Sequence, residues 1–310
     1  MTPRLSDGLS DRVGWPAALV QAGGGKPGEK ANESPAPLLV SSPAPGRMTL
    51  ARVAAVAEAL DERDLAILAS VARVRMLTGG QLQRLHFASV PSPDRQARRV
   101  LARLTHLAVL ARLKRQVGGR RAGSSGFVYT LGLAGQRLAG DRGPAGGRRR
   151  ERPWTPSTMH LAHHLLVSEL YVEVCEAEMT GGLDVLEFEA EPACWRPFIG
   201  SAGAGVTLRP DAFVRLGVGE TERLAFIEMD LATESPTTME RKLDRYRLYV
   251  ASGIEQERWG TVPMVTWVVP DEDRANVVAG VCQGQPRELW PLFVVVPFGR
   301  AVEVMAGGRP

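Results

Sequence analysis

Asp94 to Leu107 reads DRQARRVLARLTHL, and this stretch decides how the first half of the chain folds. Ala97, Val100, Leu101, Leu104 and Leu107 recur at helical spacing and form one apolar stripe. Arg95, Arg98, Arg99 and Arg103 fall mainly on the other side, and Pro91 and Pro93 mark a turn just upstream. Two more helices are predicted before that turn. Residues 61–74 (DERDLAILASVARV) carry acids in their first turn and place Leu65, Leu68, Ala69 and Ala72 at helical spacing. Thr78 is placed to cap a short helix over residues 79–87, with Leu82, Leu85 and Phe87 toward a core. Downstream, residues 109–117 alternate (VLARLKRQV), a glycine-rich tip follows, and residues 127–131 return as the second strand of a hairpin. A helix over residues 133–138 closes the unit. Three helices and a hairpin in this order predict a winged helix-turn-helix across residues 48–140.

The charge agrees with that placement. The chain has 310 residues and a net charge of only +4, yet between Pro91 and Arg121 the only acid is Asp94. From Gly181 onward acids outnumber bases. A polyanion-binding module joined to a different kind of domain fits this asymmetry. In a helix-turn-helix the second helix of the pair enters the major groove. Arg95, Gln96, Arg98 and Arg99, near the helix N-terminus, are therefore the candidate groove residues, with Arg103 a further candidate DNA contact. Arginine pairs with guanine and glutamine with adenine. Lys114, Arg115, Arg120 and Arg121 of the hairpin suit phosphate contacts, as does the run Arg148, Arg149, Arg150 and Arg152. The expected partner is double-stranded DNA, against the alternative of a solvated basic helix used in protein contacts.

Residues 1–47 are rich in Gly, Pro and Ser and are expected to be a disordered tail, with Met48 an alternative natural start. Residues 141–156 read as a basic linker and 301–310 as a flexible tail. Between them, residues 157–300 alternate helix and strand: helices over 158–178, 235–250 and 271–281, strands over 183–188, 212–218, 223–229, 264–269 and 292–297. That order predicts an α/β domain with a central mixed sheet, so the whole chain is α+β or α/β in class. Three scattered cysteines, Cys175, Cys194 and Cys282, form neither a disulfide framework nor a zinc spacing. No apolar run reaches the roughly 18 residues that span a bilayer. No membrane association and a cytoplasmic location are expected.

The candidate chemistry lies in Arg209-Pro210-Asp211 and in Glu228-Met229-Asp230. Neighbouring strands set side chains about 5 Å apart, and residues 228 and 230 point to the same face. Asp211, Glu228 and Asp230 are therefore candidate ligands for a Mg²⁺ ion that would activate water for phosphodiester cleavage. Glu169 and Lys242, on the flanking helices, are the further catalytic candidates. The bland alternative has these acids capping strands or pairing with Arg209, Arg241 and Arg245. His160, His163 and His164 share a helix face; packing against the sheet or linker is the reading favoured over a metal site. Trp195, Trp259, Trp267 and Trp290 read as core or interface residues.

Pro-Asp on one strand and Glu-x-Asp on the next resemble the PD-(D/E)XK restriction-endonuclease-like fold, with Asp230 where that pattern has lysine and Lys242 a candidate substitute. Over about residues 60–280 the chain resembles the replication-relaxation family of plasmids and integrated elements. The resembling stretches are Arg63-Asp64-Leu65-Ala66-Ile67-Leu68 with Leu77-Thr78 and Gln81-Leu82; Ala97-Arg98-Arg99-Val100-Leu101-Ala102-Arg103-Leu104; and Tyr129-Thr130-Leu131 with Ala134-Gly135. Further on come His163-His164 with Glu169-Leu170, Arg209-Pro210-Asp211, Phe226-Ile227-Glu228-Met229-Asp230 with Thr233-Glu234-Ser235, and Lys242-Leu243 with Tyr246. The resemblance implies a DNA-binding accessory factor in replication initiation, or in relaxation and transfer of a mobile element. Alternatives are a metal-dependent nuclease or nickase, or an adaptor recruiting a relaxase or transfer ATPase. Replication or conjugation proteins and a second copy of the chain are further partners left open. No P-loop pattern is present, which argues against an ATPase.

Overall fold

A computed structural model describes residues 48–116, 126–140, 158–200 and 203–309. The expected tail at 1–47, the linker at 141–156 and the hairpin-tip residues Arg120 and Arg121 lie outside the described residues.

The first unit opens with α1 (Leu50–Glu58), capped by Thr49, and α2 (Glu62–Val74). Asp61 and Asp64 cap α2 reciprocally, each side chain accepting the other's backbone N–H. β1 (Met76–Thr78) follows, and Thr78 and Gln81 repeat the same box at the start of α3 (Gly79–Phe87). Proline in its first turn starts α4 (Pro93–His106). β2 (Leu110–Gln116), β3 (Phe127–Leu131) and α5 (Leu133–Leu138) complete the unit. The three strands form an antiparallel sheet in the order β1-β3-β2. The third strand, β1, sits beside β3 and was not anticipated: three residues are too few to show a period. α1 also went unread. Its alanine-rich sequence buries only Val56 and so lacks a clear apolar stripe.

α6 (Thr158–Met179) joins the two halves. It carries apolar side chains on nearly every side, because both halves pack on it. Leu161 and Leu165 pack with Met76, Leu113 and Val128 of the first unit. Tyr171 meets Phe188 of the second edge-on, with centroids 5.0 Å apart. The Ser168 hydroxyl donates to the Met76 carbonyl at 2.6 Å. One buried cluster runs from Met48 and Ile67 through Leu170 to Ile227 and Met305. The apolar packing is thus continuous across the boundary expected between 140 and 157.

The second half has β4 (Asp184–Ala190), a small hairpin β5 (Arg196–Ile199) and β6 (Gly205–Leu208), then β7 (Ala212–Val218) and β8 (Thr221–Met229). α7 (Pro236–Ala251), α8 (Ile254–Trp259), β9 (Met264–Val269), α9 (Glu272–Gln283) and β10 (Phe293–Pro297) follow. The central sheet has five strands in the order β10-β9-β8-β7-β4. β4, β7 and β8 are antiparallel, whereas β8, β9 and β10 run parallel. The expected mixed sheet is present, and the fold is a mixed α+β one. A second cluster, with Phe226, Tyr246, Trp267 and Val278, fills the face covered by α7 and α9, with Trp195 and Trp259 packed against it. The chain end corrects the expected flexible tail: α10 (Ala301–Met305) buries Ala301, Val304 and Met305 in the shared cluster. Five residues are again too short for a visible period.

Candidate functional site

The acidic centre forms where β7 begins and β8 ends. The Asp211 backbone N–H donates to the Ile227 carbonyl at 2.9 Å, fixing the strand head beside β8. Its Oδ2 accepts the Met229 N–H at 2.7 Å, and His163 Nε2 lies 3.0 Å from Oδ1. Glu228 is 2% exposed. Its Oε2 accepts from Lys242 Nζ at 2.8 Å and its Oε1 from the Tyr246 hydroxyl at 2.6 Å. Lys242 and Tyr246 stand one turn apart on α7, so one helix face supplies both donors. Lys242 also reaches Glu234 at 2.8 Å.

The other two candidate acids are engaged elsewhere. Asp230 Oδ2 accepts from Arg274 Nε of α9 at 2.6 Å, and its Oδ1 accepts the Ala232 N–H at 2.8 Å. Glu169 stands six residues beyond His163, about 9 Å of helix rise. There it receives the Gln81 amide at 2.8 Å and pairs with Arg84, which also binds Glu176. Glu169 thereby clamps α3 to α6. Sequence reading missed Tyr246, Arg274, Arg84 and Glu191 as partners; only the 242/246 spacing offered a local signal.

Electrostatics follow the pairing. Burial alone would raise Asp211, but His163, Lys242 and the Met229 N–H together hold it below the usual carboxylate range. Burial disfavours charge on His163, yet Asp211 keeps its pKa above the ordinary histidine value. Burial pushes Glu228 up to about 7, with Lys242 opposing and Asp211 adding to the rise. Lys242 itself is held above its ordinary value by Glu228, Asp211 and Glu234, against burial.

A Mg²⁺ ion takes about six oxygen ligands near 2.1 Å. Here the oxygens of Asp211, Glu228 and Asp230 face the protein's own donors. Among the described residues, no group of three or more His, Cys, Asp or Glu side chains is arranged to hold a metal ion. As placed, these residues do not fit the ion. What they do chemically is fasten α6, α7 and α9 to one edge of the sheet.

The histidines divide between two carboxylates. His163 serves Asp211, and His164 Nε2 lies 3.3 Å from Glu191 Oε1. Burial, helped by Arg75 and His163, pushes His164 down to about 4. This folded value lies below the ordinary one near 6.5, so the associated stability is complete above about pH 6.5 and is lost as pH falls toward 4. Wild type should therefore lose melting temperature relative to His164→Gln between about pH 6.5 and 4. Parallel melting curves for the two proteins over that range would contradict the assignment.

The second candidate is the outer face of α4. Ala97, Leu101 and Leu104 are buried beneath it. Arg95, Arg98, Arg99, Ala102 and His106 are exposed. Gln96 donates its amide to the Pro91 carbonyl at 2.8 Å, and Arg98 Nε donates to the Asp94 carbonyl at 3.1 Å. Arg103 differs from its neighbours. Its Nη2 lies 2.6 Å from both carboxylate oxygens of Asp64, which is fully buried. Lys114 and Arg115 lie on β2.

Among known proteins, a model described as replication-relaxation matches residues 68–265. No curated protein and no solved structure matches the chain.

Proposed function

The chain belongs to the replication-relaxation family, whose model covers well over half of its 310 residues, and on that premise we propose that it is a duplex-DNA-binding factor serving replication or DNA relaxation. The carrying observation is the outer face of α4, where Arg95, Arg98, Arg99 and His106 are exposed together. Three helices with a three-stranded antiparallel sheet support a winged-helix reading of the first unit. On that reading α4 enters the major groove, and β2 and β3 form the wing on the phosphates. The order α6, β4-β7-β8, α7, β9 likewise supports a restriction-endonuclease-like reading of the second half. Its acids are neutralised from within, so we read that half as a scaffold for docking replication or transfer proteins, or a second copy of the chain, in the cytoplasm.

A mobility-shift titration of the full chain on linear and supercoiled duplex tests this. A retarded complex whose affinity falls steeply with salt is expected, because phosphate contacts release counterions. Absent or salt-independent binding would refute the reading. Nicking with Mg²⁺ or Mn²⁺ that disappears in Asp211→Ala or Glu228→Ala would replace the scaffold with a nuclease.

A further inference from the structure

We propose that α4 reads guanine, so that the cognate duplex presents guanines in the major groove to Arg95 and Arg99. The inference rests on the DNA-binding reading above and adds the chemistry of the site that is bound.

At about 100° per residue, positions 95, 99, 102 and 106 lie within roughly 60° of one another and form the centre of the exposed face. Arg98 flanks this line, with its Nε turned to the Asp94 carbonyl. Of the side chains suited to base edges, two are withdrawn by contacts inside the protein. Gln96, the one amide able to pair with adenine, is half-buried and committed to Pro91. Arg103 is locked onto Asp64. Ala102 has no polar atom. The central line thus offers two guanidinium forks in its N-terminal half, where a recognition helix meets base edges. A guanidinium fork donates two parallel hydrogen bonds to guanine O6 and N7, an acceptor pair that no other base shows in that groove. Arg95 and Arg99 are separated by about 6 Å of helix rise. For a helix lying along the groove, that places the two guanines roughly two base-pair steps apart, at ~3.4 Å each.

The test is selection by the full-length chain from a randomised duplex library, followed by measurement of the selected site. Enrichment of guanines at two positions is expected. Replacing those guanines with 7-deazaguanine, which removes N7 alone, should weaken binding about tenfold or more. Arg95→Ala and Arg99→Ala should each reduce the preference for the selected over a scrambled duplex by about tenfold, in the range that a paired contact supplies. Selected sites without guanine, indifference to 7-deazaguanine, or equal losses on selected and scrambled duplexes would overturn the proposal while leaving DNA binding intact. No binding to any duplex would instead overturn the DNA-binding reading, and this inference with it.

Discussion

Replacing Lys242 with methionine should destabilise the folded chain by about 3–5 kcal/mol near pH 8, the range for breaking a buried ion pair from one side. Glu228 is 2% exposed, and Lys242 Nζ at 2.8 Å is its cationic partner. The Tyr246 hydroxyl remains in the variant, but a neutral donor does not balance a buried charge. The pH dependence identifies the cause. Burial already raises Glu228 to about 7 in the presence of the lysine. A carboxyl whose folded pKa lies above its unfolded one binds a proton more readily when folded, so its destabilising effect grows as pH rises through that value. The cost of Lys242→Met should accordingly shrink near pH 5, and Lys242→Met combined with Glu228→Gln should recover much of it near pH 8. Urea unfolding of the three proteins at both pH values is the measurement. A loss below about 1 kcal/mol near pH 8 would show that Glu228 does not carry its charge alone.

Arg103→Ala should be equally costly for the same reason, at about 3–5 kcal/mol. Asp64 is fully buried, caps α2 and takes both of its oxygens to Arg103 at 2.6 Å. Without the guanidinium it keeps the Asp61 N–H, 3.1 Å from Oδ2, which is too little to hold a buried charge. Its neighbour Arg99 is exposed, and Arg99→Ala should stay within about 0.5 kcal/mol. The two arginines should therefore separate cleanly. At a temperature where both variants are folded, Arg103→Ala should leave DNA affinity nearly unchanged, while Arg99→Ala should lower it. A stable Arg103→Ala protein with weakened DNA binding would return Arg103 to the set of DNA contacts.

That contrast shows what kind of information the sequence carried. The capping pairs Asp61–Asp64 and Thr78–Gln81 act over three residues, so the helices they start were legible. The stripe of Ala97, Leu101 and Leu104 was legible through its period. The grouping of Asp211 beside the end of β8 followed from strand alternation and neighbouring strands. Contacts between distant segments were not legible, since nothing local distinguishes an arginine facing water from one facing a buried acid. Arg103 finds Asp64 across 39 residues, and Arg84 finds Glu169 across 85. The elements missed were those too short or too plain to show a period: β1, α1, the β5–β6 hairpin, α8 and α10. The character of α6 also depends on packing. Its sequence shows a helix, but only the two units on either side explain why its apolar residues are not confined to one face.

We propose above that the outer face of α4 binds duplex DNA. Fluorescence anisotropy of a labelled duplex, titrated with wild type and with the Arg95→Ala/Arg99→Ala double variant at low salt, tests it most directly. Because both side chains are exposed, the double variant should melt within a few degrees of wild type. It should bind at least tenfold more weakly, since each groove contact carries about 1–3 kcal/mol. Equal affinity of the two proteins, at equal stability, would contradict the claim.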